Sequence, residues 1–159
     1  GSGGLANVGS SRLQTLTEDL NMLSRDYDFV LLDLGAGVER TVRQLAHKAG
    51  TCAVLLTDEP TSLTDAYAFI KVSHSERPEI TFKIVANSVN STREGERTYN
   101  TLLKACEGFL KISPPLLGTI RRDPQVKEAI RNQIPLLAYA PNTEAAEDVD
   151  KIAANLISQ

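Results

Sequence analysis

Polar residues follow the apolar runs of this chain at four places, and their types suit the binding of a phosphorylated ligand. The run DFVLLD (28–33) ends in Asp33 and leads into Gly35 and Gly37. A carboxylate can hold a hydrated Mg²⁺ ion, and glycines allow backbone N–H groups to approach a phosphate oxygen closely. The next three apolar runs are followed by Glu59, Asn87 and Asp123.

The same residues also fit simpler structural roles. Asp33 suits a turn between a strand and a helix, and Asn87 suits a turn as well. Glu59 precedes a proline, which cannot donate a hydrogen bond to a sheet and could therefore end a strand. Asp123 precedes a proline too, which is typical of an N-cap with proline at the first helical position.

A further alternative concerns the segment TDEPTSLTDAY. Ser62 and Asp65 have the spacing of a capping box, in which the serine caps a helix and the acidic side chain bonds back to it. This role competes with a direct role of Asp65 in a binding site. The residue types alone therefore predict a domain with a polar binding rim, and they do not identify its ligand.

The elements that would position these residues alternate along the chain. Short apolar runs occur at 28–33, 51–57, 80–87 and 115–120, and helical periodicity occurs near 10–24, 38–49, 61–75, 93–110, 123–132 and 143–157. Strands that are apolar on both faces and separated by helices indicate a parallel sheet covered by helices on both faces. In such a sheet ligands bind at the carboxyl ends of the strands. The predicted fold class is therefore α/β.

Composition excludes several classes of function. The 159 residues carry a net charge of −3 and contain no basic run, which argues against nucleic-acid binding. No apolar run approaches the length of a membrane span. Cys52 and Cys106 are interpreted as buried free thiols, which favours a cytoplasmic location. Residues 1–9 are rich in glycine and serine and are predicted to be a flexible leader, not a phosphate loop.

Two motifs resemble those of a known family. The segment YDFVLLDLGAGVERTV resembles the switch II strand and turn of the MinD/ParA-type deviant-Walker ATPases. The segment TDEPTSLTDAYAFIKV resembles the signature of the flagellar-number regulators of that group, the FlhG/FleN type. Similarity continues through IVANSVNSTREGE and LLGTIRRDPQVKEAIRNQIPLL. The resemblance implies that 10–159 is a partial MinD/ParA-like ATPase domain, with the SIMIBI-type P-loop NTPase fold lacking its first strands.

The resemblance also implies roles for particular residues. Asp33 would hold Mg²⁺ through water, and Gly35 and Gly37 would form the switch turn that senses the γ-phosphate. Asn87 would contact the edge of adenine, and the loop of Asp123 would flank the base. Glu59 and Asp65 would lie near the face where two ATP-bound subunits meet.

The phosphate-binding part of such an ATPase does not occur in these residues. The spacing G-x-x-x-x-G-K-[ST] is absent from the sequence, and the first lysine is Lys48. We therefore expect this chain to be the C-terminal part of a longer ATPase that binds ATP and Mg²⁺, and we expect the chain alone to bind and hydrolyse no ATP. The membrane-targeting helix of the family is not visible either, so a peripheral membrane contact would use a segment outside this chain.

The resemblance leaves two classes of function open. The first is an ATPase fragment whose intact form controls flagellar number or placement and interacts with flagellar assembly or regulatory proteins. The second is a non-enzymatic α/β signalling module, such as a receiver-like domain with Asp33 as phospho-acceptor. In the first case the strand edge left uncovered by the missing first strand would promote self-association, as a homodimer or a swapped oligomer.

Overall fold

The computed structural model of the protein describes residues 10–35 and 37–158. The chain forms two compact units, one from the residues up to 52 together with 68–80, and one from 53–67 together with 81–159. The predicted leader at 1–9 lies outside the described residues.

The described residues include a three-stranded sheet. The strands are β1 (Thr51–Leu56), β2 (Thr81–Val89) and β3 (Leu116–Arg121), and their order in the sheet is β1-β2-β3. Strands β2 and β3 pair in parallel, with Ile84 opposite Leu116 and Asn87 opposite Ile120. The predicted α/β class is confirmed, since three of the four apolar runs form the strands expected of them.

The helices follow the periodicity of the sequence. In chain order they are α1 (Ser10–Leu23), α2 (Arg40–Ala46), α3 (Pro60–Glu76), α4 (Thr92–Ala105), α5 (Pro124–Arg131), α6 (Leu136–Tyr139) and α7 (Glu144–Ile157). A π-helical turn, Cys106–Leu110, continues α4. Only the short α6 was not predicted. No helix in the described part of the chain is long and apolar enough to cross a membrane.

The prediction of a strand at 28–33 is wrong for the described structure. None of these residues belongs to a strand, and Phe29 and Leu31 are 56% and 81% exposed. An apolar run favours extended backbone, but a strand forms only where a neighbouring strand accepts and donates its hydrogen bonds. The apolar pattern therefore indicates that the segment is suited to burial. Whether it pairs as a strand depends on the presence of a neighbouring strand.

The core of the second unit lies on the central strand and on the contact between β3 and α7. Ile84 and Val89 of β2 are fully buried, and Leu102 of α4 is only 2% exposed. Helix α7 approaches β3 closely at Gly118, because a Cβ atom at this position would lie 2.4 Å from Cγ1 of Ile152. A glycine is thus required there by the packing of the helix against the strand.

We expect the substitution Gly118→Ala to lower the free energy of unfolding by about 1–3 kcal/mol, because the added methyl group overpacks this contact. The matched control is Gly108→Ala in the π-helical turn, where the described residues leave open space around the position of a Cβ atom. Urea denaturation of both variants measures the effect. Equal midpoints for the two variants would contradict the assigned packing of α7.

Candidate functional site

The carboxyl end of β2 contains an irregularity at Ser88, directly after the candidate residue Asn87. Ser88 has a φ of +56°, in the left-handed region that serine rarely adopts. The register between β2 and β3 shifts between Asn87 and Val89 at the same place. Such a bulge costs about 1 kcal/mol for a residue with a Cβ atom and changes the direction of the neighbouring side chains.

The bulge at Ser88 is contacted by Arg122, the residue that follows β3. Its guanidinium donates to the carbonyl oxygen of Ser88 at 3.3 Å and to the Oγ atom of Ser88 at 3.4 Å. The backbone N–H of Arg122 also donates to the carbonyl oxygen of Val89 at 2.7 Å. These contacts join the loop after β2 to the loop after β3.

Asp123 has the capping role that its sequence context predicted. Its carboxylate accepts a hydrogen bond from the backbone N–H of Gln125 at 2.8 Å, and Pro124 is the first residue of α5. Because the cap fixes the start of the helix, it also fixes the loop that the resemblance places beside a nucleotide base. The capping role and the predicted contribution of this loop to a site are therefore compatible.

The loop between β2 and α4 is fixed by a second cap. The Oγ atom of Ser91 accepts from the backbone N–H of Glu94 at 3.2 Å, and the carboxylate of Glu94 accepts from the backbone N–H of Asn90 at 2.7 Å. The backbone that follows Asn87 is consequently held by side chains on both sides, at Ser88 and at the start of α4.

The capping box predicted for Ser62 and Asp65 is wrong. Helix α3 begins at Pro60, so that Ser62 lies within its first turn. The Oγ atom of Ser62 instead accepts a hydrogen bond from the backbone N–H of Thr57 at 2.9 Å, which connects the helix to the end of β1. Glu59 and Asp65 are both exposed. Their predicted place near a subunit interface stays a prediction.

The remaining candidate residues belong to the first unit. Asp33 and Gly35 are exposed, and Gly37 has a φ of +119°, which only glycine adopts without strain. The carbonyl oxygen of the next residue, Val38, accepts a hydrogen bond from the guanidinium of Arg43. The same guanidinium donates to the two carboxylate oxygens of Glu76 at 2.9 and 3.0 Å. The turn at Gly37 is therefore attached to α2 and to the end of α3.

The structure thus brings together one part of the predicted site. Asn87 pairs with Ile120, three residues before Asp123, so the β2 and β3 ends present their loops side by side. Asp33, Gly35 and Gly37 lie in the other unit, and their association with Asn87 and Asp123 stays a prediction. No cluster of three or more potential metal ligands occurs among the residues that the structure describes. An exposed single carboxylate such as Asp33 nevertheless suits Mg²⁺, which is often held by one carboxylate together with water and phosphate oxygens.

Sequence reasoning missed the ion pairs that fix the end of β3. The side chain of Arg121 donates to both carboxylate oxygens of the buried Asp148, at 2.8 and 2.9 Å, and to the carboxylate of Glu144 at 2.6 Å. The backbone N–H of Arg121 also donates to Asp148, at 3.0 Å. Burial alone raises the pKa of the Asp148 carboxyl, but the hydrogen bonds from Arg121 outweigh it and hold the pKa below its usual value. The spacing of the two acids, four residues apart on one helix, was the signal available in the sequence.

The fold defines the class of this protein. Over 92% of its length the chain superposes on MinD from Aquifex aeolicus with a TM-score of 0.73 and 17% identity, covering 61% of that chain. A MinD complexed with Mg-ADP from Pyrococcus horikoshii gives a TM-score of 0.71 over 91% of this chain and 56% of that chain, with 23% identity. The fold is thus that of the MinD/ParA class. The chain belongs to the family described as "cellulose biosynthesis protein BcsQ", which it matches over residues 5–157.

Curated relatives agree with the resemblance seen in the motifs. The chain is 28% identical over 152 residues to the flagellum site-determining protein YlxH of Helicobacter pylori, covering 95% of this chain and 51% of the relative. It is 29% identical over 131 residues to the antiactivator FleN of Pseudomonas aeruginosa, covering 82% of this chain and 47% of the relative. The chain therefore spans about half the length of these relatives. The predicted similarity to flagellar-number regulators of the MinD/ParA type is confirmed.

Proposed function

We propose that this chain is part of a MinD-type ATPase that controls the number or placement of flagella. The observation that carries the proposal is the match to YlxH and FleN across 95% and 82% of the chain. The MinD-like fold and the curated relatives favour this function over the receiver-like signalling module.

In the intact protein, five of the candidate residues would contribute to nucleotide binding. Asp33 would hold Mg²⁺ through water, and the metal ion would neutralise charge on the phosphates, while Gly35 and Gly37 would let the backbone approach the γ-phosphate. Asn87 would contact the adenine edge, and the capped loop of Asp123 would flank the base. The adjacency of the β2 and β3 loops supports the assignment of the base-binding half.

The sequence has no G-x-x-x-x-G-K-[ST] spacing, which is the pattern of a phosphate loop. The backbone N–H groups and lysine of a phosphate loop provide most of the affinity for Mg-ATP. The chain alone is consequently inactive, and it self-associates through its uncovered apolar surface.

Nucleotide binding and hydrolysis test the enzymatic part of the proposal. We expect the full-length protein to hydrolyse ATP, and the substitution Asp33→Ala to lower kcat by at least about 100-fold, because charge neutralisation by the metal contributes several kcal/mol. The matched control is Asp28→Ala, an exposed aspartate at the start of the same apolar run. Calorimetric titration of Mg-ATP into the 159-residue chain should show no submillimolar binding. Full activity of the Asp33→Ala protein would contradict the assigned metal role.

A deletion strain tests the cellular role. We expect loss of the gene to change the number or position of flagella counted by electron microscopy, with rescue by the wild-type gene and not by the Asp33→Ala gene. The family description favours a second candidate, a role in cellulose biosynthesis. Cellulose should therefore be quantified in the same strains. Normal flagella together with altered cellulose would replace the flagellar role by the second candidate.

A further inference from the structure

We infer that Arg122 is a positioning residue, which fixes Asn87 by clamping the left-handed turn at Ser88. The significance of this clamp for nucleotide selectivity rests on the proposed function, in which Asn87 contacts adenine. The geometry of the clamp itself rests only on described contacts between the loops after β2 and β3.

The conformation of Ser88 requires an explanation from its surroundings. Three described residues other than glycine have a positive φ, namely Ser88, Lys111 and Gln133. Serine does not favour this region, so neighbouring contacts must hold it there. At Ser88 the contacts come from Arg122, whose guanidinium reaches both the carbonyl oxygen and the Oγ atom. The fork of guanidinium N–H groups suits two acceptors on one residue.

The turn at Ser88 determines where Asn87 lies. In a regular strand Asn87 and Val89 would share one face, but the register shift between them breaks that alternation. Val89 is fully buried, while Asn87 is only half-buried at the end of the strand. The bulge thus allows the strand to keep Val89 in the core and to leave Asn87 accessible to a ligand.

The clamp also couples the two loops of the base site. Arg122 lies between β3 and the capped Asp123, and its backbone N–H donates to the carbonyl oxygen of Val89 at 2.7 Å. A ligand held between Asn87 and the Asp123 loop would therefore contact two segments with a fixed separation. Hydrogen-bonding sites discriminate between related ligands only when their donors and acceptors are held in place. The clamp should consequently affect selectivity between adenine and guanine more than it affects phosphate binding.

The adjacent Arg121 has a separate task, since its side chain pairs with Glu144 and Asp148 of α7. Arg122 is exposed, so its replacement removes the clamp without removing a core contact. The matched control for loss of an exposed arginine is Arg131→Ala, because Arg131 is 72% exposed and pairs with Glu128.

The experiment uses the full-length protein and its affinities for Mg-ATP and Mg-GTP. We expect Arg122→Ala to weaken Mg-ATP binding about tenfold and to leave Mg-GTP binding nearly unchanged, while Arg131→Ala changes neither. Adding Ser88→Gly to Arg122→Ala should restore the preference for ATP, because glycine adopts the left-handed turn without a clamp. Adding Lys111→Gly instead should restore nothing. Should Arg122→Ala fail to fold, the same affinities are measured for Arg122→Lys. Lysine keeps the positive charge but lacks the forked pair of N–H donors, so this variant should also lose Mg-ATP affinity.

A spectroscopic measurement separates this inference from the proposed function. The three-bond HN–Hα coupling of Ser88 and the side-chain amide resonances of Asn87 should change in Arg122→Ala, and the Asn87 resonances should return when Ser88→Gly is added. Unchanged signals in Arg122→Ala, or no return with Ser88→Gly, would overturn the clamp. Absence of Mg-ATP binding by the wild-type protein would overturn the proposed function, and the NMR signals would still decide the clamp.

Discussion

Replacing Asp148 by alanine is expected to lower the free energy of unfolding by about 3 kcal/mol. The Asp148 side chain is 7% exposed and accepts three hydrogen bonds from Arg121, two from its guanidinium and one from its backbone N–H. Removal of the carboxylate leaves the half-buried backbone N–H of Arg121 without an acceptor, and its guanidinium loses two of its hydrogen bonds. The loss exceeds that of a typical surface ion pair, because one partner lies inside the contact between β3 and α7.

Urea denaturation of the purified chain measures this effect, with Asp150→Ala as the matched control. Asp150 is exposed on the same helix, so its removal should change the free energy of unfolding by less than about 0.5 kcal/mol. Similar midpoints for the two variants would show that the Asp148 pairing contributes little to stability.

The pH dependence of stability provides an independent check on Asp148. The pKa of Asp148 in the folded chain lies below its usual value. The ion pair therefore stabilises the protein fully when the pH is above the pKa of this carboxyl in the unfolded chain, which is about 4. The contribution is lost as the pH falls through the lower, folded pKa. The difference in stability between wild type and Asp148→Asn should therefore be constant above about pH 5 and shrink below about pH 4. A difference that grows on acidification would contradict the direction assigned to the pKa.

The substitution Ile84→Ala is expected to lower the free energy of unfolding by about 3–4 kcal/mol. Ile84 has no exposed surface and lies on β2, the central strand of the sheet, opposite Leu116. Its removal loses the transfer free energy of three carbon atoms and leaves a cavity that neighbours on both sides of a central strand cannot readily fill.

The matched control for this prediction is Ile130→Ala on α5. Ile130 is 70% exposed, so loss of the same atoms should cost less than about 0.5 kcal/mol. Denaturation midpoints for the two variants give the comparison directly. Equal losses would show that β2 does not form the centre of the core.

Local signals in the sequence were sufficient for most of the elements. The apolar runs at 51–57, 80–87 and 115–120 became strands because apolar and β-branched residues favour a pleated, partly buried backbone. Of the described strands, only β2 is buried on both of its faces, whereas Leu55 of β1 is 57% exposed. The cap at Asp123 was equally local, since a carboxylate followed by proline meets the requirements of a helix start within three residues. The motifs that resemble flagellar-number regulators were contiguous stretches, and the curated relatives agree with them.

Other features depended on residues that are distant in the sequence. Helix α3 begins at Pro60 and not at a cap formed by Ser62, because the Ser62 side chain instead binds the backbone at the end of β1. The apolar run at 28–33 has the composition of a strand, yet it is not paired as one in the described structure. The apolar pattern of a segment shows its tendency to be buried, but it does not identify the strand with which the segment pairs.

By itself, the sequence determined the α/β class and the order of the three strands and of every described helix except α6, and it named candidate residues from Asp33 to Asp123 whose roles stay predictions. Only the tertiary structure decided that Ser88 adopts a left-handed turn, that Arg122 holds it, and that Arg121 joins β3 to an aspartate 27 positions away. Burial and helix propensity act on neighbouring residues and leave a local pattern. Ion pairs and clamps between loops depend on distances in space, which the folded backbone sets.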